Sequence, residues 1–454
     1  MLHSINPVNL EVLAAFKEHS DTEINHILKS TEAAQIGWEG ASVSERGAIM
    51  LKVADLLKEK KEPLSVKMTS EMGKPITESR AEVDKCIWCC EYYAQHAASF
   101  LEDEAIETEG RESFIAYRPL GVILAVMPWN FPLWQVFRFA APALMAGNAI
   151  ILKHASNVTG CALAIEAILN DAGVPEHVFR VVKTDNNGVA SIIGNSVIKA
   201  VTLTGSTAAG KAIAQTAGQH LKKTVLELGG SDPYVVLEDA DLDLAVDACL
   251  TSRLINAGQS CIAAKRFIVH QSLYDGFVES FTQGMREVVM GDPLDEATRI
   301  GPMARVDLRD HLHQQVQKSI VAGAKCLLGG EVPDRKGAWY PPTVLTEVRK
   351  GSPAYDEELF GPVAAIIKAK DEDHALRLAN DTVFGLGAAV FTKDINRGKY
   401  IARTRLAAGC CFVNAFVKSD PRLPFGGIKE SGYGRELSYL GIREFVNAKT
   451  VYIK

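Results

Sequence analysis

The sequence predicts an α/β protein with two doubly wound α/β domains, and three observations support that prediction. The chain has 454 residues, which at about 150 residues per domain allows about three core-sized units. After Gly121, short apolar runs alternate with helix-like segments in units of about 25–30 residues. These runs are apolar throughout, as strands covered by helices on both faces should be.

The segment before this alternation is predicted to be helical. Between Thr22 and Glu102, apolar residues recur at three- and four-residue spacing among many charged residues, which is the pattern of amphipathic helices. Gly73-Lys74-Pro75 interrupts one such run and begins another. The first hundred residues are therefore expected to form helices.

Two series of strands and helices follow. In the first, each predicted strand precedes a helix, in the order Val122–Met127 and Leu133–Met145, Ala149–Leu152 and Cys161–Asn170, Phe179–Val182 and Val189–Ile193, Ala200–Leu203 and Thr207–Ala217. In the second, a helix at Leu242–Ile255 precedes the strands Phe267–Val269, Val363–Ile367, Ala388–Phe391 and Cys411–Val413 and the helices Leu273–Val289, Asp373–Leu378 and Ile395–Arg403. The two domains are predicted to meet near Leu228–Gly230.

Composition and charge exclude several classes of protein. Lys and Arg number 49 and Asp and Glu 55, so the formal net charge of −6 offers no basic excess for nucleic-acid binding. Apolar residues make up 47% of the chain, which excludes a disordered protein. The N-terminus lacks the basic start and apolar run of a signal peptide. The most apolar stretch, Val122–Met127, is far shorter than the roughly 20 residues of a membrane span.

The cysteines predict a cytoplasmic protein with free thiols. Nine Cys in 454 residues are too few for a disulfide scaffold, and their number is odd. Two pairs, Cys89-Cys90 and Cys410-Cys411, are adjacent in the chain. One of these thiols can be chemically special.

A glycine-rich turn between a predicted strand and helix is the first candidate site. Gly205-Ser206-Thr207-Ala208-Ala209-Gly210-Lys211 matches a phosphate-binding P-loop as far as its Lys, but Ala212 replaces the hydroxyl residue that holds Mg²⁺. A helix N-terminus after such a turn can also bind a dinucleotide pyrophosphate through backbone N–H groups. A tight turn with no ligand remains an alternative, since no G-x-G-x-x-G stands at a strand–helix junction.

Two further segments carry candidate catalytic groups. Cys261 follows Gly258, which would let the chain turn sharply and expose a thiol, although a lone Cys is more often a small core residue. Glu227 lies between apolar residues at the end of a strand, where burial would raise its pKa and suit it to act as a general base. A structural carboxylate capping Gly229-Gly230 is the alternative. No metal site is predicted, because His311 and His313 lie on different faces of a helix.

Together these segments resemble the aldehyde dehydrogenase superfamily over nearly the whole chain. The resemblance rests on five ordered motifs: Met127-Pro128-Trp129-Asn130-Phe131-Pro132, Glu227-Leu228-Gly229-Gly230, Asn256 to Cys261, Glu358-Leu359-Phe360-Gly361-Pro362, and Pro424 to Glu436. Glu227 and Cys261 also stand at the family's separation of 34 residues. Within the superfamily, the chain looks most similar to bacterial members that oxidise succinic semialdehyde.

The resemblance implies a covalent mechanism. Cys261 would attack the aldehyde carbon as a thiolate, and the Asn130 amide with the Cys261 backbone N–H would hold the oxyanion. Hydride transfer to the nicotinamide would leave a thioester, which a water activated by Glu227 would hydrolyse. The position two after the nucleophile is Ala263, so no neighbouring thiol can trap Cys261 in a short disulfide.

The resemblance also implies which residues bind the cofactor, NAD or NADP. They are Trp129, Lys153, Ser156, Gly205, Ser206, Leu228, Glu358 and Phe360, with Glu358 on the nicotinamide ribose. Lys153-His154-Ala155-Ser156 departs from the family's K-P-x-E, whose Glu repels a 2′-phosphate. Here Lys153, with His154, would pair with that phosphate, so use of both cofactors is expected.

For the substrate, the resemblance points to Arg138, Trp134 and Ser419. Arg138 would bind a remote carboxylate, although an Arg at a surface or interface is the alternative. Some succinic semialdehyde enzymes carry a second Arg where this chain has Ile255, and Lys418 and Ser419 can compensate. A lactaldehyde-type hydroxyaldehyde or another semialdehyde stays open as substrate.

The domain assignment combines both lines of reasoning. Two doubly wound (Rossmann-like) α/β domains plus a small β oligomerisation element are expected. Residues 1–105 and 125–228 would form the NAD(P)-binding domain, 229–425 the catalytic domain, and 106–124 with 426–454 the oligomerisation element of a homodimer or homotetramer. A P-loop phosphotransferase, opposed by Ala212, and a catalytically silent relative, opposed by Cys261, Glu227 and Asn130, are the alternatives from other classes.

Overall fold

The computed structural model describes residues 1–454. Its strands are β1 (Leu2–Ile5), β2 (Val12–Phe16), β3 (Glu104–Ala105), β4 (Glu112–Pro119), β5 (Val122–Met127), β6 (Ala149–His154), β7 (Phe179–Val181), β8 (Ile198–Thr204), β9 (Lys223–Glu227), β10 (Pro233–Val236), β11 (Arg266–His270), β12 (Lys325–Leu328), β13 (Thr343–Thr346), β14 (Val363–Ala369), β15 (Gly387–Phe391), β16 (Cys410–Val413), β17 (Gly432–Tyr433) and β18 (Val446–Ile453).

Fifteen α-helices connect and cover these strands. They are α1 (Asp21–Gly40), α2 (Val43–Glu59), α3 (Lys61–Met72), α4 (Ile76–Phe100), α5 (Trp134–Met145), α6 (Thr159–Asp171), α7 (Asn186–Gly194), α8 (Thr207–Gln219), α9 (Leu242–Leu254), α10 (Tyr274–Arg286), α11 (Val306–Val321), α12 (Pro353–Asp356), α13 (Glu372–Asn380), α14 (Ile395–Thr404) and α15 (Ser438–Arg443). No helix is long and apolar enough to cross a membrane.

Two large sheets organise the molecule. One has six strands in the order β17-β9-β8-β5-β6-β7, all parallel except β17. The other has seven strands in the order β12-β13-β14-β11-β10-β15-β16, all parallel except β12. Their central strands are buried along nearly their whole length, because helices cover both faces. The predicted α/β class is therefore confirmed.

Two small antiparallel sheets complete the fold. Strand β4 pairs along its whole length with β18 near the C-terminus, and β3 pairs with the other edge of β4. Strands β1 and β2 form a hairpin at the N-terminus. This hairpin differs from the expectation that the first hundred residues are helices. Its strands are short and partly exposed, so they show neither a buried apolar run nor a clear alternation.

The predicted domain boundaries remain a proposal, which the sheets support. Residues 122–227 supply five strands of the six-stranded sheet, and residues 233–413 supply the whole seven-stranded sheet. Strand β17 departs from the proposal: it lies in the segment assigned to the oligomerisation element, yet it pairs with β9. The chain returns to the first sheet there and brings Glu436 close to Arg138.

Candidate active site

A cavity of about 310 Å³ lies between residues 78–138 and residues 251–425 of the chain. Helices α4 and α5, the segment after α9 and the chain before β17 form its walls. It brings together four residues that the sequence predicts for the site, namely Cys261, Arg138, Trp134 and Ser419. Glu227 and Asn130 are not among the residues that line it. The cavity also contains Lys85, to which sequence reasoning assigned no role.

The backbone before Cys261 is held in an unusual conformation. Asn256 and Ala257 have φ of 53° and 52°, and Gly258 has φ of 74°. A left-handed conformation costs roughly 1–2 kcal/mol at each non-glycine residue, so surrounding contacts must hold it. Position 258 also requires glycine, because a Cβ there would approach the Gly361 carbonyl oxygen to 2.2 Å. The sharp turn expected at Gly258 is therefore present.

Side chains on three sides fix this loop. Asn256 Nδ2 donates to the carbonyl of Asn130 at 2.7 Å and to that of Gln259 at 3.1 Å. Asn130 Nδ2 donates to the same Gln259 carbonyl at 3.1 Å, which leaves its second N–H free. Buried Lys265 donates to the carbonyls of Ser260 and Cys261 at 2.8 and 2.6 Å. The backbone N–H of Cys261 has no acceptor within the protein.

Cys261 is partly buried and carries a protonated thiol. Burial raises its pKa to about 12, although the charges of Arg138 and Lys265 oppose this. The thiolate, which is the nucleophile, is therefore scarce in the free protein at neutral pH. The free backbone N–H of Cys261 and the free N–H of Asn130, whose amide binds the same loop at Gln259, are donors of the kind that an attacked carbonyl oxygen would need.

Glu227 is the last residue of β9 and is buried. Neither carboxyl oxygen forms a hydrogen bond. Burial raises the pKa of Glu227 well above its usual range, and the neighbouring carboxylate of Glu436 raises it further. The expectation of a raised pKa is confirmed in direction. The carboxyl group lies over Gly426 and faces Arg138 and Glu436.

Arg138 on α5 is not a free cation. Its guanidinium forms an ion pair with Glu436, donates to Thr204 Oγ1 at 3.2 Å and lies 4.7 Å from the centre of the Phe425 ring. The alternative of a surface or interface Arg is wrong, since Arg138 is only 2% exposed within the chain.

The glycine-rich turn forms the junction between β8 and α8. Ser206 caps α8 by accepting a hydrogen bond from the Ala209 N–H at 3.3 Å. Nothing inside the protein requires glycine at 205, because a Cβ there would meet only Leu203 and Ala209 at 3.6 Å or more. The missing side chain instead leaves the N-terminus of α8 open to a ligand, which suits a pyrophosphate.

Four further residues expected at the cofactor, Trp129, Leu228, Glu358 and Phe360, have defined contacts in the structure. Trp129 and Phe360 pack edge to face with ring centres 5.8 Å apart. Glu358 Oε1 accepts from the Gly230 N–H at 3.0 Å and faces Lys265 at 3.4 Å, while Oε2 accepts no hydrogen bond. Leu228 is buried against Gly210 of α8. Glu358 therefore keeps a free acceptor of the kind that binds a ribose hydroxyl.

The end of β6 carries the residues expected at a 2′-phosphate. Lys153 is partly buried and has neither an ion pair nor a hydrogen bond, and burial lowers its pKa. Ser156 is exposed. The expected phosphate contact of His154 is wrong: its ring is buried, with Nε2 2.8 Å from the Pro132 carbonyl and Nδ1 accepting from the Ala155 N–H. Burial lowers the pKa of His154 to about 4, so the ring is neutral.

Several residues that shape the site carried no usable signal in the sequence. Glu436 stood in the C-terminal motif without a role, and Lys265 follows the nucleophile without any pattern. Glu82 and Lys85 lie on α4 among other charged residues of an amphipathic helix. Glu82 Oε1 accepts from the backbone N–H groups of Leu133 and Trp134 at 2.8 and 2.9 Å, so it caps α5. Only the folded chain reveals these contacts.

Comparisons with known proteins agree with this geometry. The profile of the aldehyde dehydrogenase family matches residues 1–451. A succinate semialdehyde dehydrogenase [NAD(P)+] of Escherichia coli (strain K12) is 48% identical over 449 residues, covering 99% of this chain and 97% of that protein. A succinate-semialdehyde dehydrogenase [NADP(+)] of Mycolicibacterium paratuberculosis is 45% identical over 455 residues, covering 99% and 96%. The crystal structure of succinic semialdehyde dehydrogenase from Streptococcus pyogenes with NADP+ superposes with a TM-score of 0.98, at 37% identity and with full coverage of both chains.

Proposed function

Because the chain belongs to the aldehyde dehydrogenase family, we propose that it oxidises succinic semialdehyde to succinate with NAD or NADP. Each turnover consumes one aldehyde, one water and one oxidised cofactor, and yields the carboxylate, the reduced cofactor and two protons. The observation that carries the proposal is the thiol of Cys261 in the wall of a cavity, on a loop that holds two free N–H donors, the backbone N–H of Cys261 and one N–H of the Asn130 amide.

Cys261 is the nucleophile in this proposal. Its thiolate forms a bond to the aldehyde carbon, and the carbonyl electrons move to the oxygen. The backbone N–H of Cys261 and the free amide N–H of Asn130 stabilise the oxyanion. Removing one such donor typically costs about 100- to 1000-fold in kcat. The rigid loop supports this role, because the contacts of Asn256 and Lys265 fix the donors before the substrate arrives.

Glu227 is the general base for hydrolysis of the thioester on Cys261. Once deprotonated, its carboxylate takes a proton from water, the water oxygen attacks the thioester carbon, and the thiolate leaves. Its burial supports this role, because a carboxylate with a raised pKa is a stronger base near neutral pH. The carboxyl group must first give up its proton and turn from Glu436 toward the cavity.

The cofactor residues fit a nicotinamide dinucleotide, which when bound supplies the hydride acceptor. Gly205 and Ser206 leave the N-terminus of α8 open to the pyrophosphate, and Glu358 Oε2 offers an acceptor to the ribose. The packed rings of Trp129 and Phe360 and the buried Leu228 supply apolar surface for the cofactor in this proposal. Lys153, which lacks an anionic partner, and the uncharged Ser156 support acceptance of a 2′-phosphate.

Arg138, Trp134 and Ser419 form the substrate end of the cavity in this proposal. Although Arg138 pairs with Glu436, its Nη1 group makes no hydrogen bond and can still donate to a substrate oxygen. A lactaldehyde-type hydroxyaldehyde is the alternative substrate, since a hydroxyl group would also meet these donors.

We also propose a homo-oligomer in the cytoplasm. All nine cysteines are free, which supports a reducing compartment. The small sheet of β3, β4 and β18 exposes Tyr452 and Ile453, which supports its assignment as the oligomerisation element. Light scattering coupled to gel filtration tests the oligomer and separates a dimer from a tetramer.

The decisive experiment follows nicotinamide reduction with succinic semialdehyde, lactaldehyde and propanal, using each cofactor in turn. We expect the highest kcat/KM with succinic semialdehyde and no turnover by Cys261→Ala. Cys410→Ala is the matched control, because it removes another partly buried thiol and should remain active. Turnover by Cys261→Ala would overturn the mechanism, and a higher kcat/KM for lactaldehyde would overturn the substrate.

A further inference from the structure

We propose that Lys85, on α4, is the cation that binds the remote carboxylate of the substrate and so selects a semialdehyde acid over a neutral aldehyde. The inference rests on the proposed function and adds a specificity-determining residue to it. It starts from the charges that line the cavity, which are the carboxylates of Glu78 and Glu82 and the cations of Lys85, Arg138, Arg299 and Lys418.

Most of these charges are already paired. Glu78 faces Arg299 at 3.2 Å and accepts the backbone N–H of Asn256 at 2.7 Å. Glu82 is paired with buried Lys74 and caps α5. Arg138 is paired with Glu436. Lys85 and Lys418 alone have no carboxylate within ion-pair distance, so the cavity carries two positive charges without anions.

Lys85 and Lys418 differ in their surroundings. Lys418 is exposed, and its ammonium group makes no hydrogen bond. Lys85 is partly buried, donates to Ser419 Oγ at 2.7 Å and lies 4.4 Å from the centre of the Trp134 ring. An ammonium group has three N–H donors, so two remain for a ligand. Of the two unpaired cations, Lys85 is therefore the one whose ammonium group is fixed by contacts with the protein.

The neighbouring groups complete a carboxylate site. Ser419 is only 7% exposed; its oxygen accepts from Lys85, and its own O–H has no acceptor in the protein. The Trp134 ring would cover the methylene groups of a short chain whose aldehyde lies at Cys261. One carboxylate can thus accept from both Lys85 and Ser419, which neither a neutral aldehyde nor a hydroxyaldehyde can match in charge.

Burial and the charge of Arg138 lower the pKa of Lys85 to about 8. The other titratable groups near it are Glu78, Glu82, Cys86 and Cys89 on its own helix and Cys261, Arg299 and Lys418 on the other walls. Above about pH 8 the ammonium group loses its charge, while the substrate carboxylate stays ionised. The advantage of succinic semialdehyde over butanal should therefore decline above that pH.

The test compares kcat/KM for succinic semialdehyde and for butanal, a neutral aldehyde of the same length, in the complete enzyme. Lys85→Met keeps the length and packing of the side chain. We expect it to lower kcat/KM for succinic semialdehyde by about 10- to 100-fold, mostly through KM, and to leave that for butanal unchanged or higher. Lys418→Met is the matched control. Its loss of kcat/KM for succinic semialdehyde should be at least about fivefold smaller than that of Lys85→Met, since the charge of Lys418 is exposed to solvent.

The wild-type enzyme supplies a second readout that needs no variant. The ratio of the two kcat/KM values cancels the titration of Cys261 and Glu227, so its decline above about pH 8 reports Lys85. Three results would overturn the assignment of Lys85 without affecting the proposed substrate. They are a ratio that does not change with pH, equal losses of kcat/KM in Lys85→Met and Lys418→Met, and an undiminished preference of Lys85→Met for succinic semialdehyde over butanal. No preference for succinic semialdehyde over butanal in the wild type would overturn the proposed substrate and this inference together.

Discussion

The guanidinium of Arg138 forms a buried ion pair with the carboxylate of Glu436, beside the raised-pKa carboxyl of Glu227. Arg138 and Glu436 come from α5 and from the chain after β17, so the pair joins segments about 300 residues apart. The charge of Arg138 opposes the raised pKa of both carboxyl groups, and Arg138 also lines the substrate cavity. Arg138 therefore links the protonation state of Glu227 electrostatically to the wall of the cavity.

This pair changes the prediction for an Arg138 variant. From sequence alone, Arg138→Ala should raise KM for succinic semialdehyde far more than for propanal. The ion pair predicts, in addition, a loss of kcat/KM for every aldehyde, because two buried carboxyl groups would lose their cation. Arg138→Met should lower the free energy of unfolding by about 3–5 kcal/mol, measured by urea denaturation. The double variant Arg138→Met/Glu436→Leu should recover most of the lost free energy of unfolding. If Arg138→Met alone lowers that free energy by less than about 1 kcal/mol, this account is contradicted.

The sequence predicts the residues of the site that lie in local motifs, but it does not reveal partners that only the folded chain brings together. Cys261, Glu227 and Asn130 lie in local motifs, and the strand Val122–Met127 was predicted with its observed bounds because its apolar run is uninterrupted. Glu436 and Lys85 lie far in sequence from their partners Arg138 and Ser419, and Lys265, although only four residues from Cys261, has no local pattern that marks it. The expectation for His154 is wrong because its orientation depends on the carbonyl of Pro132, 22 residues away in the chain, which only folding brings beside the ring.

The thiol of Cys261 should react slowly at neutral pH and faster in base. Because its pKa is about 12, the thiolate fraction rises about tenfold per pH unit at every pH well below that value. The rate of alkylation by iodoacetamide, measured by mass spectrometry of the peptide containing Cys261, should rise between about pH 7 and pH 10 without a plateau. A plateau near pH 8 would show that the thiolate is stabilised in the free protein.

The buried pair Lys74–Glu82 should contribute more to stability than the surface pair Lys61–Asp84, whose carboxylate is on the same helix. Glu82→Gln keeps an acceptor for the N-terminus of α5 but leaves Lys74 buried without an anion, so we expect a loss of about 3–5 kcal/mol in the free energy of unfolding. Asp84→Asn is the matched control: it removes the anion of the exposed Lys61–Asp84 pair and should cost less than about 1 kcal/mol. Similar losses in the two variants would contradict the role of burial.

His154 should make the protein less stable in mild acid. Its pKa is about 4 in the folded chain and 6.5 as the ordinary value, so the unfolded chain binds the proton more readily. Its stabilising contribution is complete above about pH 6.5 and is lost as the pH falls toward 4. His154→Gln should be less stable at neutral pH but lose less of its Tm between about pH 7 and pH 5 than the wild type, in thermal melts followed by circular dichroism. Parallel Tm curves would rule out His154 as the cause.

Ser156→Glu should shift cofactor selectivity toward NAD. A carboxylate at 156 would compete for Lys153 and repel a 2′-phosphate, while NAD has no phosphate at that position. We expect the ratio of kcat/KM for NADP to that for NAD to fall about tenfold or more, measured with saturating succinic semialdehyde. Ser156→Gln, which adds the same bulk without charge, should leave the ratio near the wild-type value, because repulsion and not size is the proposed cause. If the wild type already prefers NAD by roughly a thousandfold or more, Lys153 does not receive a phosphate and the expected use of both cofactors is wrong.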